Sequence, residues 1–353
     1  MKVVVNARFL TQPITGVQRF AIEISKRLKK YLQDDVVFIA PKGVIHEDLA
    51  SELNVRIVGL NQSHLWEQID LRIFLLKHNC PLLLNLCNTA PVFYSNSIIT
   101  VHDVAFEVYP QTYSKKFLLL YKYLIPHLVH NAKKIITVSE FSKSEIIKFY
   151  NISADRIEVI NNAVSTDFHP IENKNLQKQK YFLTVSSLNY RKNLKLVLEA
   201  FNLLSKNEEY VKLYIVGDLN DKAFSKYSLD DFGIHKNIVF LGRLSDKELM
   251  EYYSNSQAFI YPSLYEGFGI PPLEAQKCKT AVIVSDIPCF WEIFGNSVIY
   301  NDVHQANQLK DKMQLLLTED FRLKFVIKGI ENENRYSWEK SNKNILRLIK
   351  SCY

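Results

Sequence analysis

The sequence has no apolar run of about 18 residues, the length a helix needs to cross a bilayer, so no membrane-spanning helix is expected. It lacks a secretory leader pattern as well. MKVVVNARF reaches Arg8, and then Thr11, before any long apolar stretch forms. The five cysteines (Cys80, Cys87, Cys278, Cys289 and Cys352) are odd in number and lack C-x-x-C spacing. That argues against a disulfide frame or a zinc site and fits reduced thiols in the cytoplasm. No G-x-G-x-x-G follows an N-terminal strand and no G-x-x-x-x-G-K-[ST] occurs, which leaves dinucleotide and P-loop sites without support. Zinc-binding histidine spacing and nucleic-acid-binding signatures are missing too, so no nucleic-acid partner is expected.

What is there is the composition of a soluble globular protein: 353 residues, 47% hydrophobic and 23% charged, enough for two domains with a core each. The net charge of +7 is uneven: residues 1–165 hold 19 Lys and Arg against 14 Asp and Glu, a balance of +5. A basic first half suits phosphate, a membrane surface or nucleic acid, and equally a plain basic surface.

Strand-like and helix-like segments alternate, which predicts mostly parallel sheets with helices on both faces. Strand candidates begin at Val3, Val36, Val55, Leu82, Ser97 and Lys134. The pattern breaks over 167–180, a polar stretch without apolar period, then restarts at Tyr181, Lys212, Asn237, Gln257 and Thr280. This places one domain at 1–165 and a second at 166–336, followed by an amphipathic helix over 337–353.

The most informative stretch is YEGFGIPPLEA, Tyr265 to Ala275. It predicts the end of a buried strand, a tight glycine loop and a helix with proline in its first turn. Gly267 and Gly269 let a ligand approach bare backbone, and helix-start amides favour an anion. Glu266 falls in the loop and Glu274 one turn inside the helix, so both carboxylates can face one crevice. Arg191 and Lys192, in SSLNYRKN, follow a strand and precede a helix near Leu194. Adjacent cations at such a place can clamp a diphosphate and stabilise the charge that grows as it leaves. Ligands of doubly wound sheets bind outside the carboxyl ends of the strands. In TVSEFSKSEI, Ser139 has the look of a helix cap, while Ser142 and Glu145 have capping-box spacing and read as helix architecture.

Together with GVQRF near Gly16, VHD at His102, TVSEFSKSEI at Thr137, VINNAV at Val159 and SSLNYRKN at Ser186, this stretch resembles the E-x7-E signature of family-four retaining glycosyltransferases (glycosyl transferases group 1). The resemblance covers almost the whole chain and extends to bacterial O-antigen and capsule hexosyltransferases. It implies the α/β GT-B fold, two Rossmann-like doubly wound domains facing across a cleft. The helix over 337–353 would pack back on the first domain, with Trp338 near the crossing. On the donor side it implies Glu266 and His102 by the sugar, Arg191 and Lys192 on the diphosphate, and Glu274 on the ribose. The loop Gly267, Phe268 and Gly269 would lie near the donor, and Gly16 near the diphosphate. Relatives carry paired glycines at Thr15-Gly16 and at Gly217-Asp218, where this chain has one each. Gly217 and Arg243 would frame the base, Arg243 reading equally well as a surface residue. On the acceptor side, Asp103 would orient His102 or shape the site, Ser139 would line it, and Arg19 would meet an anionic acceptor or stay solvated.

No D-x-D triad of metal-dependent glycosyltransferases is present, so neither a metal nor a cofactor is expected; the nucleotide-diphosphate sugar is a co-substrate. The segment from Leu118, LLLYKYLIPHLVHNAKK, suits docking on an anionic membrane, which fits an undecaprenyl-diphosphate-linked saccharide acceptor at the inner face of the plasma membrane. By itself the segment reads first as a buried helix broken at Pro126. The expected activity is retaining transfer of a hexose in surface polysaccharide assembly; HDVAFEVYP leans toward relatives with mannosyl-type donors, and the choice between GDP and UDP sugars stays open. The alternatives are a GT-B nucleotide-sugar epimerase and a non-catalytic sugar-nucleotide-binding subunit.

Overall fold

The computed structural model describes residues 3–186, 189–217 and 237–353. The chain divides into two compact units, Met1–Asn162 with Ser337–Tyr353, and Ala163–Tyr336.

The first unit is built on seven parallel strands: β1 (Val3–Asn6), β2 (Val36–Ala40), β3 (Arg56–Ile57), β4 (Leu82–Asn85), β5 (Ser97–Thr100), β6 (Lys134–Thr137) and β7 (Ile157–Val159). Their order is β3-β2-β1-β4-β5-β6-β7. Strands β1, β4 and β5 are buried along their whole length, as parallel strands covered by helices on both faces must be. The expected strand from Val55 shrinks to two exposed residues at the sheet edge, and β7 at the other edge was not anticipated. Both are too short to carry a clear apolar pattern.

Helix Gly16–Leu32 starts from a capping box between Thr15 and Gln18. The C-terminal helix, Trp338–Ser351, lies against it: buried Trp338 meets the edge of Phe20 at 5.9 Å, and Arg27 pairs with Glu339 at 2.9 Å. Ser341 Oγ donates to the Asn161 carbonyl at 2.6 Å, fixing the helix to the end of the same unit.

Two local expectations are corrected here. Helix Lys115–Asn131 runs unbroken through Pro126. Proline removes one backbone hydrogen bond, but Leu124, Ile125, Leu128 and Val129 are buried around it and hold the helix together. Helix Glu140–Tyr150 is capped by Ser139, whose hydroxyl accepts from the Ser142 amide at 3.0 Å. Ser142 therefore lies inside the first turn, and Glu145 pairs with Lys148 at 3.4 Å instead of closing a capping box.

The described residues of the second unit form six parallel strands: β8 (Tyr181–Val185), β9 (Lys212–Val216), β10 (Ile238–Gly242), β11 (Ala258–Tyr261), β12 (Val282–Ser285) and β13 (Ile299–Asn301). Their order is β10-β9-β8-β11-β12-β13. Helices Leu194–Ser205 and Ala306–Leu316 supply Val197, Phe201, Leu309 and Met313 to the core on one face of this sheet. Around the first strand of each unit the chain order is the same, third-second-first-fourth. The connections therefore diverge between β1 and β4, and again between β8 and β11. Open parallel sheets bind ligands at such points.

Candidate active site

In the second unit, the divergence point gathers three of the residues singled out above. Arg191 and Lys192 form a short turn after β8, Tyr190–Lys192, capped by the Asn189 side chain. Glu266 follows β11 and is 9% exposed. Lys192 Nζ lies 2.7 Å from Glu266 Oε1, and Arg191 Nη1 lies 3.3 Å from Glu266 Oε2. Two backbone-anchored contacts lock the turns together. Arg191 Nη1 donates to the Tyr265 carbonyl at 2.7 Å, and the Leu264 amide donates to the Arg191 carbonyl at 2.8 Å. Tyr261, the last residue of β11, completes the cluster. Its hydroxyl accepts from Lys192 Nζ at 2.6 Å and donates to Glu266 Oε1 at 3.0 Å. Sequence reasoning missed Tyr261 because an aromatic at a strand end reads as core.

Burial alone would raise the Glu266 carboxyl, but Lys192, and then Arg191, outweigh it and hold the group at about 2. Burial works against the Lys192 ammonium as well, and Glu266 outweighs that and raises it. Burial and Glu266 push the Tyr261 phenol up to about 12. The triad is thus fully charged at neutral pH, two cations to one anion, with a net +1.

The loop after Glu266 leads into helix Ile270–Lys277 with proline at its start. Gly269 caps that helix at φ +101, and a Cβ there would come within 2.9 Å of Phe290 Cε1, so only glycine fits. Phe268 turns its ring into the core, edge-on to Tyr336 at 5.4 Å, which leaves its backbone as the part available to a ligand. Gly267 is buried beside Glu266 in the same loop. Glu274 is buried one turn into the helix, with the Tyr253 phenol close enough to feel its charge. Burial, with Glu274 adding to it, drives that phenol far above its ordinary range. Among the described residues no bond joins Glu266 and Glu274 directly.

Gly217 follows β9, and its amide donates to the Gly242 carbonyl at 2.8 Å. At φ +146, a Cβ there would fall 1.9 Å from the Ser186 carbonyl oxygen. Arg243, just past β10, is exposed. Asp218 lies outside the described residues, as do Ser187 and Leu188 of SSLNYRKN. Among the described residues no group of three or more His, Cys, Asp or Glu is placed to hold a metal ion.

Residues 165–347 match the family model described as glycosyl transferases group 1, and residues 14–168 match that of glycosyltransferase family 4. The chain belongs to the glycosyl transferases group 1 family. It is 31% identical to the O-antigen chain mannosyltransferase RfbU of Salmonella typhimurium, over 84% of this chain and 86% of that one. With the O-antigen chain mannosyltransferase B of Escherichia coli, identity is 25% over 99% of this chain and 100% of the other. Among solved structures, Anabaena Alr3699/HepE in complex with UDP and glucose matches with a TM-score of 0.78 at 16% identity. That match covers 99% of this chain and 100% of the Anabaena chain. The fold is GT-B, two Rossmann-like parallel-sheet units, and the protein is a glycosyltransferase.

The remaining candidates of this glycosyltransferase lie in the first unit. His102, after β5, is 6% exposed, and its Nε2 sits 3.0 Å from the Leu86 carbonyl. A carbonyl only accepts, so Nε2 carries the hydrogen and Nδ1 keeps a lone pair. Burial lowers the imidazole and keeps it neutral. Asp103 does not bond the His102 ring; its Oδ1 accepts from the Ala105 amide at 2.9 Å and starts the turn Ala105–Val108. Gly16 is the exposed first residue of its helix, and Arg19 is half-buried three residues further on. Ser139 is fully buried at the end of β6, its hydroxyl committed to the helix cap. No helix among the described residues is long and apolar enough to cross a membrane.

Proposed function

We propose that this glycosyltransferase moves a hexose, of mannosyl type, from a nucleoside-diphosphate donor to a hydroxyl of a lipid-diphosphate-linked saccharide, with retention and without a metal ion. The observation that carries the proposal is the Arg191–Glu266–Lys192 cluster, with its carboxylate buried, at the divergence of β8 and β11. Its net positive charge suits a diphosphate, and its one carboxylate suits sugar hydroxyls. The two O-antigen mannosyltransferases among its relatives support the mannosyl donor and the polysaccharide context.

In this reading the anomeric C–O bond breaks as Lys192 and Arg191 take up the charge growing on the leaving phosphate oxygen. The acceptor hydroxyl attacks the same face of the sugar and passes its proton to that phosphate oxygen, so no side chain needs to act as base. Glu266 uses the lone pairs left over from its cation contacts to accept from donor-sugar hydroxyls. Glu274 accepts from the ribose, and the neutral His102 contacts the sugar. Loop amides from Gly267 to Ile270 supplement the cations. The acceptor would be met at the cytoplasmic face of an anionic membrane.

The test screens GDP- and UDP-sugars for thermal stabilisation, then follows the anomeric configuration of product and donor by NMR. A selective hit whose product keeps the donor's configuration is expected. An inverted product, or conversion of the donor without transfer, would overturn the assignment.

A further inference from the structure

The divergence point of the first sheet also holds a charged cluster, and none of the roles above uses it. Arg8 follows β1, Asn85 ends β4 and Thr89 lies just beyond it. Glu67 reaches them from a helical segment whose middle, Glu67–Leu71, is a widened π turn, a feature frequent at functional sites. Arg8 Nε pairs with Glu67 Oε1 at 2.9 Å, and Asn6 Nδ2 donates to that oxygen at 2.8 Å and to Asn85 Oδ1 at 2.7 Å. Thr89 receives a bond from Arg8 Nη2 at 3.0 Å and gives its own hydrogen to Glu67 Oε2 at 2.8 Å. His64 Nδ1 stands 3.2 Å from the same oxygen.

The cluster has a direction. Glu67 is fully buried and Arg8 nearly so, whereas the His64 side chain is 27% exposed. Burial would raise the Glu67 carboxyl, but Arg8 outweighs it, with help from His64 and Asn6, and keeps it ionised. An ionised carboxylate only accepts, so the hydrogen of the imidazole sits on Nδ1. In its neutral form the ring then offers the Nε2 lone pair, which no described residue engages. Arg8 and Glu67 cancel each other's charge, so the place suits a neutral ligand rich in hydroxyls better than an anion. Beside it stands a wall of rings at the start of helix Lys115–Asn131 and just before it. Tyr121 is edge-on to His64 at 6.3 Å and stacks on Phe117 at 3.9 Å, which stacks on Tyr113 at 4.9 Å. Apolar C–H faces of a sugar pack well on such a surface.

We propose that His64, held by Glu67, binds the acceptor saccharide: Nε2 accepts a hydrogen bond from an acceptor hydroxyl, and Tyr121 walls the sugar. The inference rests on the glycosyltransferase reading of the chain and adds an acceptor-binding residue to it. His64 takes no proton in the reaction, and Glu67 and Arg8 act through it as positioning residues.

The experiment measures transfer, at saturating donor, to the best substrate among p-nitrophenyl mannoside, galactoside, glucoside and N-acetylglucosaminide. Hydrolysis of the donor without acceptor and calorimetric binding of the nucleoside diphosphate are measured alongside. His64→Ala should raise the glycoside KM at least tenfold and leave donor hydrolysis and nucleotide binding within twofold of the parent. His64→Gln, whose amide reaches the place of Nε2, should recover part of the loss. His64→Asn, whose amide replaces only Nδ1, should not. An unchanged glycoside KM in His64→Ala overturns the proposal. Rescue by Asn and not Gln overturns it too, because the residue then serves only to satisfy Glu67. An equal loss of donor hydrolysis would move His64 to the donor half of the reaction. A parent that glycosylates none of the four glycosides overturns the acceptor reading beneath it.

Discussion

Replacing Glu266 by Gln separates what this carboxylate does for the fold from what it does for the reaction. In the parent it neutralises one of two half-buried cations, 2.7 Å from Lys192 and 3.3 Å from Arg191. Holding the carboxyl at about 2 instead of the ordinary 4.5 corresponds to about 3 kcal/mol of folding stability at neutral pH. Its folded value lies below its unfolded one, so this contribution is complete above about pH 5 and fades as pH falls from 4.5 towards 2. Glu266→Gln should therefore unfold in urea with about 3 kcal/mol less stability at pH 7, and the gap should narrow steadily below pH 4.5. Nucleotide binding should move the other way. The cluster goes from +1 to +2 and Lys192 is released from its shortest anionic contact. Calorimetric affinity for free nucleoside diphosphate should hold or tighten by up to about 100-fold, since one added charge at about 5 Å is worth up to about 3 kcal/mol. Transfer should nevertheless fall about 10- to 150-fold, the loss of one charge-assisted hydrogen bond to the sugar at about 1.5–3 kcal/mol. A variant with weaker diphosphate binding and a parent-like transfer rate would refute the assignment of clamp and sugar roles.

Further outcomes can be checked in the same way. Lys192→Ala should lower kcat/KM by about 10²–10³, the usual cost of about 2.7–4 kcal/mol for one electrostatic stabiliser of the transition state, and unchanged kinetics would remove Lys192 from the clamp. Glu274→Gln should weaken nucleoside-diphosphate binding about tenfold in calorimetry and change the rate at saturating donor much less; the reverse pattern would take Glu274 off the ribose. Gly217→Ala places a Cβ 1.9 Å from the Ser186 carbonyl oxygen at φ +146, and should cost at least about 3 kcal/mol in thermal or urea unfolding. Gly242→Ala, with φ +70 and open space around it, should cost only about 1 kcal/mol in the same assay. Turnover should persist in excess EDTA, and complete loss restored by manganese or magnesium would overturn metal independence.

What the sequence made legible was local. Buried parallel strands write themselves as short apolar runs, and the strand-loop-helix around Glu266 carries glycine and proline in the positions its backbone demands. Gly269 shows why: φ +101 and two phenylalanine rings against it leave room for no other residue. The helix through Pro126 misled because a local breaker was outweighed by tertiary burial of four neighbours. At Ser139 and Ser142, two serines offered competing caps three residues apart, and only the chain's exit from β6 decides between them. Tyr261, Arg8, His64, Glu67 and Thr89 had no local signal at all. The residues of the first-unit cluster come from separate elements, and pattern reading has no period on which to place them together.

That second cluster also bears on why buried charge is kept here. A buried ion pair is seldom the most stable way to fill a core, because well-packed apolar residues of similar volume do as well or better. Arg8 with Glu67, and Lys192 with Glu266, nevertheless sit at the divergence points of the two sheets, where backbone elements part and ligands have access to strand ends. In each case the cation follows the first strand of its sheet. The difference between them is charge. The second-unit cluster keeps a surplus cation, as binding a diphosphate requires. The first-unit cluster cancels to zero and presents an imidazole, as suits a hydroxyl. Under the roles proposed above, the second-unit cluster would hold a charged donor and the first-unit cluster an uncharged acceptor group.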